Sequence, residues 1–238
     1  MIRVDRVPEP PSFDEDVRRP GSRWLDEHPN PKQLHPYWSK YLPDLKDGFQ
    51  SLCGYSAMRV EDGTVDHYRS CKNHPELAYE WDNYRFASER MNKVKGTQDE
   101  QILDPFEVED SWFELLLPSF MLVTTPRVPE EHRRRAEHTL KRLGLRDGEP
   151  IIRRRKEWYD QFRTGKVALA GLRCWAPLLA RAIERRLEQI NPNAFDGEQT
   201  AFQRFIDSEL TLSGLRREAP LIAQAIDDAL PPPDTRSR

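Results

Sequence analysis

The apolar positions of this chain follow different rhythms in different stretches, and each rhythm predicts a different element. Residues 1–50 have no sustained period. They are interrupted by V-P-E-P-P-S-F-D, R-R-P-G, H-P-N-P, H-P-Y-W and L-P-D-L, and proline both lacks a backbone donor and disfavours helix at the residue before it. A mostly irregular arm is expected, with short helices at 14–18 and 38–49. The second of these puts Trp38, Tyr41, Leu42 and Leu45 on one face. The arm is read as a wrap over a core, anchored by Phe13, Trp24, Tyr37 and Trp38, with a partner-binding segment as the alternative.

Beyond the arm, 56–60 predicts a strand or hairpin turning at Glu61-Asp62-Gly63. A β-type run at 64–68, a polar loop with Asn73 and Pro75, a second extended piece from Asn83 and a helix from Ser88 to a stop at Gly96 follow. The apolar runs 112–117 and 120–123, split by Pro118, fit two buried strands, with short helix as the alternative. From Pro129 the period is helical: 130–143 up to Gly144, 149–163 before Gly165, 167–189 with a kink or break at Pro177, 198–210 and 214–230. The tail 231–238 is expected to be disordered, and no internal repeat is read. The pattern predicts an α+β protein with an arm at 1–50, a core at 51–126 and a helical region at 127–230.

Composition narrows the class. At 238 residues the chain is long enough for a real core, and six Trp, seven Tyr and ten Phe supply bulky packing despite a 37% apolar share. Three cysteines, Cys53, Cys71 and Cys174, argue against a disulfide scaffold and for a reducing cytoplasm. No apolar run suggests a signal peptide or a membrane span. The net charge of −3 hides an asymmetry: 127–190 holds 17 Lys and Arg against 9 Asp and Glu, whereas 66–126 is acidic. Positive potential along a phosphate backbone would have to come from the helical region. Its runs Arg133-Arg134-Arg135 and Arg153-Arg154-Arg155-Lys156 are read first as solvated helix faces and second as nucleic-acid contacts.

The candidate chemistry lies at 64–96. Neighbours on a strand point to opposite sides, so Asp66 and His67 have different tasks. Asp66 and Asn92 offer hard oxygen ligands suited to a hydrated divalent cation, and His67 is a candidate general base. Singly, Asn92 reads as a helix-end polar residue and Asn83 as a turn residue. His74 beside Pro75 is a weak candidate for a metal or substrate contact. Cys53 and Cys71 read as buried thiols.

Asp66-His67, Asn83 and Asn92 followed by Lys93, Lys95 and Gly96 resemble an HNH (ββα-metal) nuclease. The run E-W-D-N-Y is similar to that family's second element, and N-K-V-K-G to its helical end. The resemblance spans about 50 residues. It implies that Asp66 and Asn92 bind the metal (Mg²⁺ first, Mn²⁺ second), that His67 activates water, and that Asn83 pins the loop and orients His67. It further implies that Arg90, Lys93 and Lys95 lie near the nucleic-acid backbone. Many members carry two Cys-x-x-Cys pairs for a structural zinc. Here Ser56 follows Cys53 and Ser88 and Met91 precede Asn92, so no zinc is expected, and the aromatic residues around the motif would brace it instead. The opening E-P-P-S-F is similar to HNH proteins of bacterial antiphage systems of the Septu or retron-associated kind, which work beside an ATPase. The resemblance implies an endonuclease acting on DNA, with RNA open. The alternative is a non-catalytic HNH-like interaction module in a multi-protein defence assembly.

Overall fold

The computed structural model describes residues 1–29, 31 and 33–232, and the last six residues of the expected tail lie outside them. It is an α+β structure with two small antiparallel two-stranded sheets. No helix among the described residues is long and apolar enough to cross a membrane. The chain falls into two compact units that do not follow linear segments. Unit 1 takes Met1–Trp112 and Val128–Leu143; unit 2 takes Phe113–Arg127 and the residues from Gly144 onward.

In unit 1 the proline-rich arm is part of the core. A turn of π-helix at Asp14–Arg18 runs into α1 (Arg19–Glu27), and a 3-10 turn at Tyr37–Tyr41 leads into α2 (Leu42–Gly48). Phe13, Val17, Tyr41, Leu45 and Phe49 from the arm are buried in one cluster with Val65, Tyr79, Trp81, Tyr84 and Phe86. Phe13 meets the rings of Tyr41, Trp81 and Tyr84 at centroid separations of 5.1–5.7 Å. Such aromatic packing is what a chain with few aliphatic runs must rely on.

Of the strand or hairpin expected at 56–60, no named strand forms, but 51–53 and 58–60 pair across a tight turn. One isolated bridge joins Leu52 and Arg59. Between them Ala57 N–H donates to the Cys53 carbonyl at 2.9 Å and Ala57 sits at φ 53°. This tight turn carries the Tyr55 side chain into the interior, where a strand would have alternated it with its neighbours. Next comes β1 (Gly63–His67), paired antiparallel with β2 (Tyr84–Ser88) in a register that sets Asp66 opposite Arg85 and His67 opposite Tyr84. Helix α3 (Glu89–Lys95) starts on Ser88, whose hydroxyl accepts from Met91 N–H, and stops at Gly96 at φ 56°.

Unit 2 opens with the paired strands β3 (Phe113–Leu115) and β4 (Leu122–Thr124). Helix α4 (Glu130–Arg142) belongs to unit 1; α5 (Glu149–Arg163) returns the chain to unit 2. Of the two long helices expected next, the first breaks at Pro177, where a kink or break is expected, and the second is split as well. One becomes α6 (Leu169–Trp175) and α7 (Pro177–Leu187); after α8 (Gln199–Ile206) the other becomes α9 (Leu212–Glu218) and α10 (Pro220–Ala229). Both breaks are an Ala-Pro step in the same backbone conformation: Ala176 at φ −151°, ψ 64° and Ala219 at φ −143°, ψ 71°.

This identity exposes an internal repeat, which corrects the reading of a chain without one. L-A-G-L-R-C-W-A-P-L-L-A-R-A-I-E-R-R-L at 169–187 returns as L-S-G-L-R-R-E-A-P-L-I-A-Q-A-I-D-D-A-L at 212–230. Matching positions also share conformation and partners. Gly165 and Ser208 both have positive φ. The ion pair Arg173–Glu184 returns as Arg216–Asp227. Contacts between the copies are reciprocal: Arg173 Nη2 lies 3.5 Å from the Ile206 carbonyl, and Arg216 Nη1 lies 2.9 Å from the equivalent Arg163 carbonyl. The equivalent rings Phe162 and Phe205 face each other at 6.1 Å. Residue i meeting j′ while i′ meets j is the signature of a two-fold relation, here within one chain.

Candidate active site

The two faces of β1 have opposite surroundings. On one, His67 lines a cleft of about 1160 Å³ together with Ser22, Asp26, Trp38, Lys72 and Asn92. Its Nε2 lies 2.9 Å from the Ala78 carbonyl. A carbonyl only accepts, so Nε2 carries the proton and Nδ1 keeps the lone pair. The ring is held edge-on to Trp38 at 4.7 Å and to Tyr84 at 5.1 Å. Burial pushes its pKa down to about 4, with the Lys95 charge adding to the depression and the Ala78 bond opposing it. His67 is therefore a neutral base of fixed tautomer at neutral pH.

Asn83 fixes the loop between the strands. Its Nδ2 donates to the Arg69 carbonyl at 2.9 Å and the Leu77 carbonyl at 3.1 Å, while its Oδ1 accepts from Arg69 N–H at 2.8 Å. Leu77 directly precedes Ala78, so the same side chain positions the carbonyl that sets the His67 tautomer. Asp99 ties down the start of the loop, accepting from Ser70 N–H, the Ser70 hydroxyl and Asn73 Nδ2.

On the opposite face Asp66 is fully buried. The Tyr55 hydroxyl donates to its Oδ2 at 2.5 Å, and Lys95 Nζ stands 3.1 Å from Oδ1. That ammonium also donates to the His67 carbonyl at 2.9 Å. Burial raises the Asp66 pKa, and Lys95 and Tyr55 oppose the rise. Directly across the register from Asp66, Arg85 makes two bonds to buried Asp104 at 2.7 and 2.6 Å. Its guanidinium lies 3.7 Å from the centre of the Phe106 ring.

The sequence-derived residues thus separate into groups. His67, Asn83 and Asn92 surround one cleft or support it. Asp66 stands behind the strand, and Lys95 is buried with it, so its charge faces Asp66 and no phosphate can reach it there. Arg90 and Lys93 are exposed on α3. The run at 133–135 is partly committed: Arg133 pairs with Glu130, and Arg135 with Glu107 and the Tyr68 hydroxyl. Arg155 is buried, donating to the Phe120 carbonyl. Sequence reasoning missed Tyr55, Arg85, Asp99 and Asp104. Their residue types gave no period, and only the tertiary fold brings them to the motif.

Two oxygens bear on the fit of a divalent cation. Asn92 Nδ2 donates to the Val65 carbonyl at 3.2 Å, which leaves its Oδ1 as the amide's acceptor. Asp66 Oδ1 is buried and receives no hydrogen bond, Lys95 lying close but off the bonding direction. Both are hard donors of the kind Mg²⁺ and Mn²⁺ take. Among the described residues no group of three or more His, Cys, Asp or Glu side chains converges as a metal site, and Asn92 lines the cleft whereas Asp66 is buried behind β1, so the two oxygens do not open onto one shared space. The chain matches no protein-family model and no curated protein.

Proposed function

We propose that unit 1 is a phosphodiester hydrolase of the HNH (ββα-metal) type, acting on nucleic acid with DNA as the first substrate to test. The observation that carries this reading is His67, a neutral imidazole whose Nδ1 lone pair is fixed by the Nε2–Ala78 bond in the wall of an open cleft. In this reading Nδ1 takes a proton from the attacking water. Asn83 holds the loop carbonyls that orient the ring, and Trp38 with Tyr84 stops it rotating. A divalent cation held from the cleft side by Asn92 Oδ1 would supply stabilisation of charge on the phosphate and leaving oxygen; Asp66, the other ligand the resemblance implies, is closed off behind β1 by Lys95 and Tyr55. Arg90 and Lys93, exposed on α3, are the backbone contacts in this reading; Lys95 is instead a positioning residue joining α3 to β1 through Asp66 and the His67 carbonyl.

The described lining of the cleft carries Lys72 against Asp26 and Glu76. Such a cleft has little electrostatic grip on phosphates, which favours a nuclease brought to its substrate by a partner. An ATPase of a bacterial antiphage system is the partner the resemblance implies. One observation favours the second reading, a non-catalytic interaction module: the Lys95 ammonium already balances Asp66, where an active site would recruit a metal.

Cleavage separates the two. Supercoiled plasmid and transfer RNA are incubated with the full chain and Mg²⁺ or Mn²⁺, beside a chelator control. The nuclease reading expects metal-dependent nicked, linear or shortened product. Absence of product from every substrate, with and without a partner ATPase of the kind the resemblance implies, favours the interaction module.

A further inference from the structure

The two-fold relation inside unit 2 fails at one place, and the failure locates a surface. Equivalent apolar positions are buried almost without exception: Leu172 and Leu215, Leu179 and Ile222, and Ile183 and Ile226 are all at or below 1% exposure. Leu178 and Leu221 are the exception, at 4% and 61%. Ala182 is buried, whereas its equivalent Ala225 is part-exposed. Beyond the repeat, β3 packs along α7 and ion-pairs Glu114 with Arg185, which shares one face of that helix with Leu178 and Ala182 by their spacing. Position 228, the equivalent of Arg185, holds Asp228, which is exposed and bonded to Gln224 of its own helix. The face of α10 that corresponds to the β3 seat on α7 thus keeps the apolar Leu221 and Ala225 and reverses the sign of the charge beside them.

We propose that this face of α10 is a docking site for a strand or hairpin of a partner protein that presents a Lys or Arg where β3 presents Glu114. The apolar positions supply the contact and Asp228 selects the sign. A second copy of this chain is a poor occupant, because its own hairpin bears Glu114 at that point and is already seated on its own α7.

The test uses the full chain and a cyclised peptide of residues 112–125, in two forms: the native sequence and Glu114→Lys. Amide NMR shifts map the contact, and fluorescence anisotropy measures affinity. The Glu114→Lys peptide is expected to move the resonances of Leu221, Ala225 and Asp228, and to bind at least tenfold more tightly than the native peptide. Leu221→Asp, at a surface position that leaves the fold intact, should abolish binding. Asp228→Arg should invert the preference between the peptides. No shift on α10 at millimolar peptide, or equal binding of both peptides that Asp228→Arg does not change, overturns the proposal. Concentration-dependent self-association that disappears in Leu221→Asp would also overturn it, by giving the face to a second copy.

Discussion

The two units hold themselves together by different means. Unit 1 buries polar groups around its motif: Asp66 with Tyr55 and Lys95, Arg85 with Asp104, Asn83 across the loop and Asp99 at the loop's start. Unit 2 buries a duplicated set of Leu, Ile and Ala, and Arg155 is its fully buried charge. An apolar core tolerates exchange of similar shapes, so a duplicated helical module can drift in sequence and keep its packing. A buried polar network has no such latitude, because every member left unpaired costs more than the bond contributed. The contrast sets a candidate site built on buried polar pairing in unit 1 beside a capacity for surface change in unit 2.

The largest effect that would break this contrast is at Arg85. Arg85→Ala strands a buried Asp104 carboxylate and should cost about 3–5 kcal/mol, whereas Arg153→Ala, at an exposed pair with Glu149, should cost less than ~1 kcal/mol. Urea unfolding measures both, and equal costs would contradict the network account. In unit 2 the repeat makes a matched test. Leu178→Ala should cost about 2–5 kcal/mol, and Leu221→Ala, its exposed equivalent, should stay within about 0.5 kcal/mol. Similar values for the two would remove the asymmetry on which the docking face rests.

The pH dependence sharpens the picture of His67. Its folded pKa of about 4 lies below the ordinary 6.5, so the unfolded chain binds the proton more readily. Its contribution is absent above about pH 6.5, and stability is lost as pH falls from there to about 4, by about 3 kcal/mol in all. Relative to His67→Asn, the wild type should therefore lose stability over that window and not above it. Urea midpoints of the two proteins from pH 4 to 8 check this. Raised folded pKa values act in the opposite sense, so burial of Asp66 does not mimic the effect. Asn83→Ala should cost about 1–3 kcal/mol, accompanied by faster amide exchange across the loop between β1 and β2.

Much of the site's local frame was legible because it depends on neighbours in sequence. The Ser88 cap and Gly96 stop fix α3, and alternation on β1 separates Asp66 from His67. The side of the strand facing the interior was not legible. It is decided by Tyr55, delivered by a tight turn just before the expected strand or hairpin at 56–60, and by Lys95, whose long chain reads as a surface cation. The repeat was hidden for a different reason. Pro220 lies inside a continuous apolar stripe that reads as one long helix, although the same Ala-Pro step at Pro177 reads as a kink or break. Contacts such as Arg85 with Asp104 follow from chain crossing and leave no periodic trace.

The most direct test of the central claim is His67→Ala in the plasmid and transfer-RNA cleavage assays, with folding of the variant confirmed by its urea transition. The account predicts metal-dependent cleavage by the wild type and its loss in the folded variant. Undiminished cleavage by His67→Ala would contradict it.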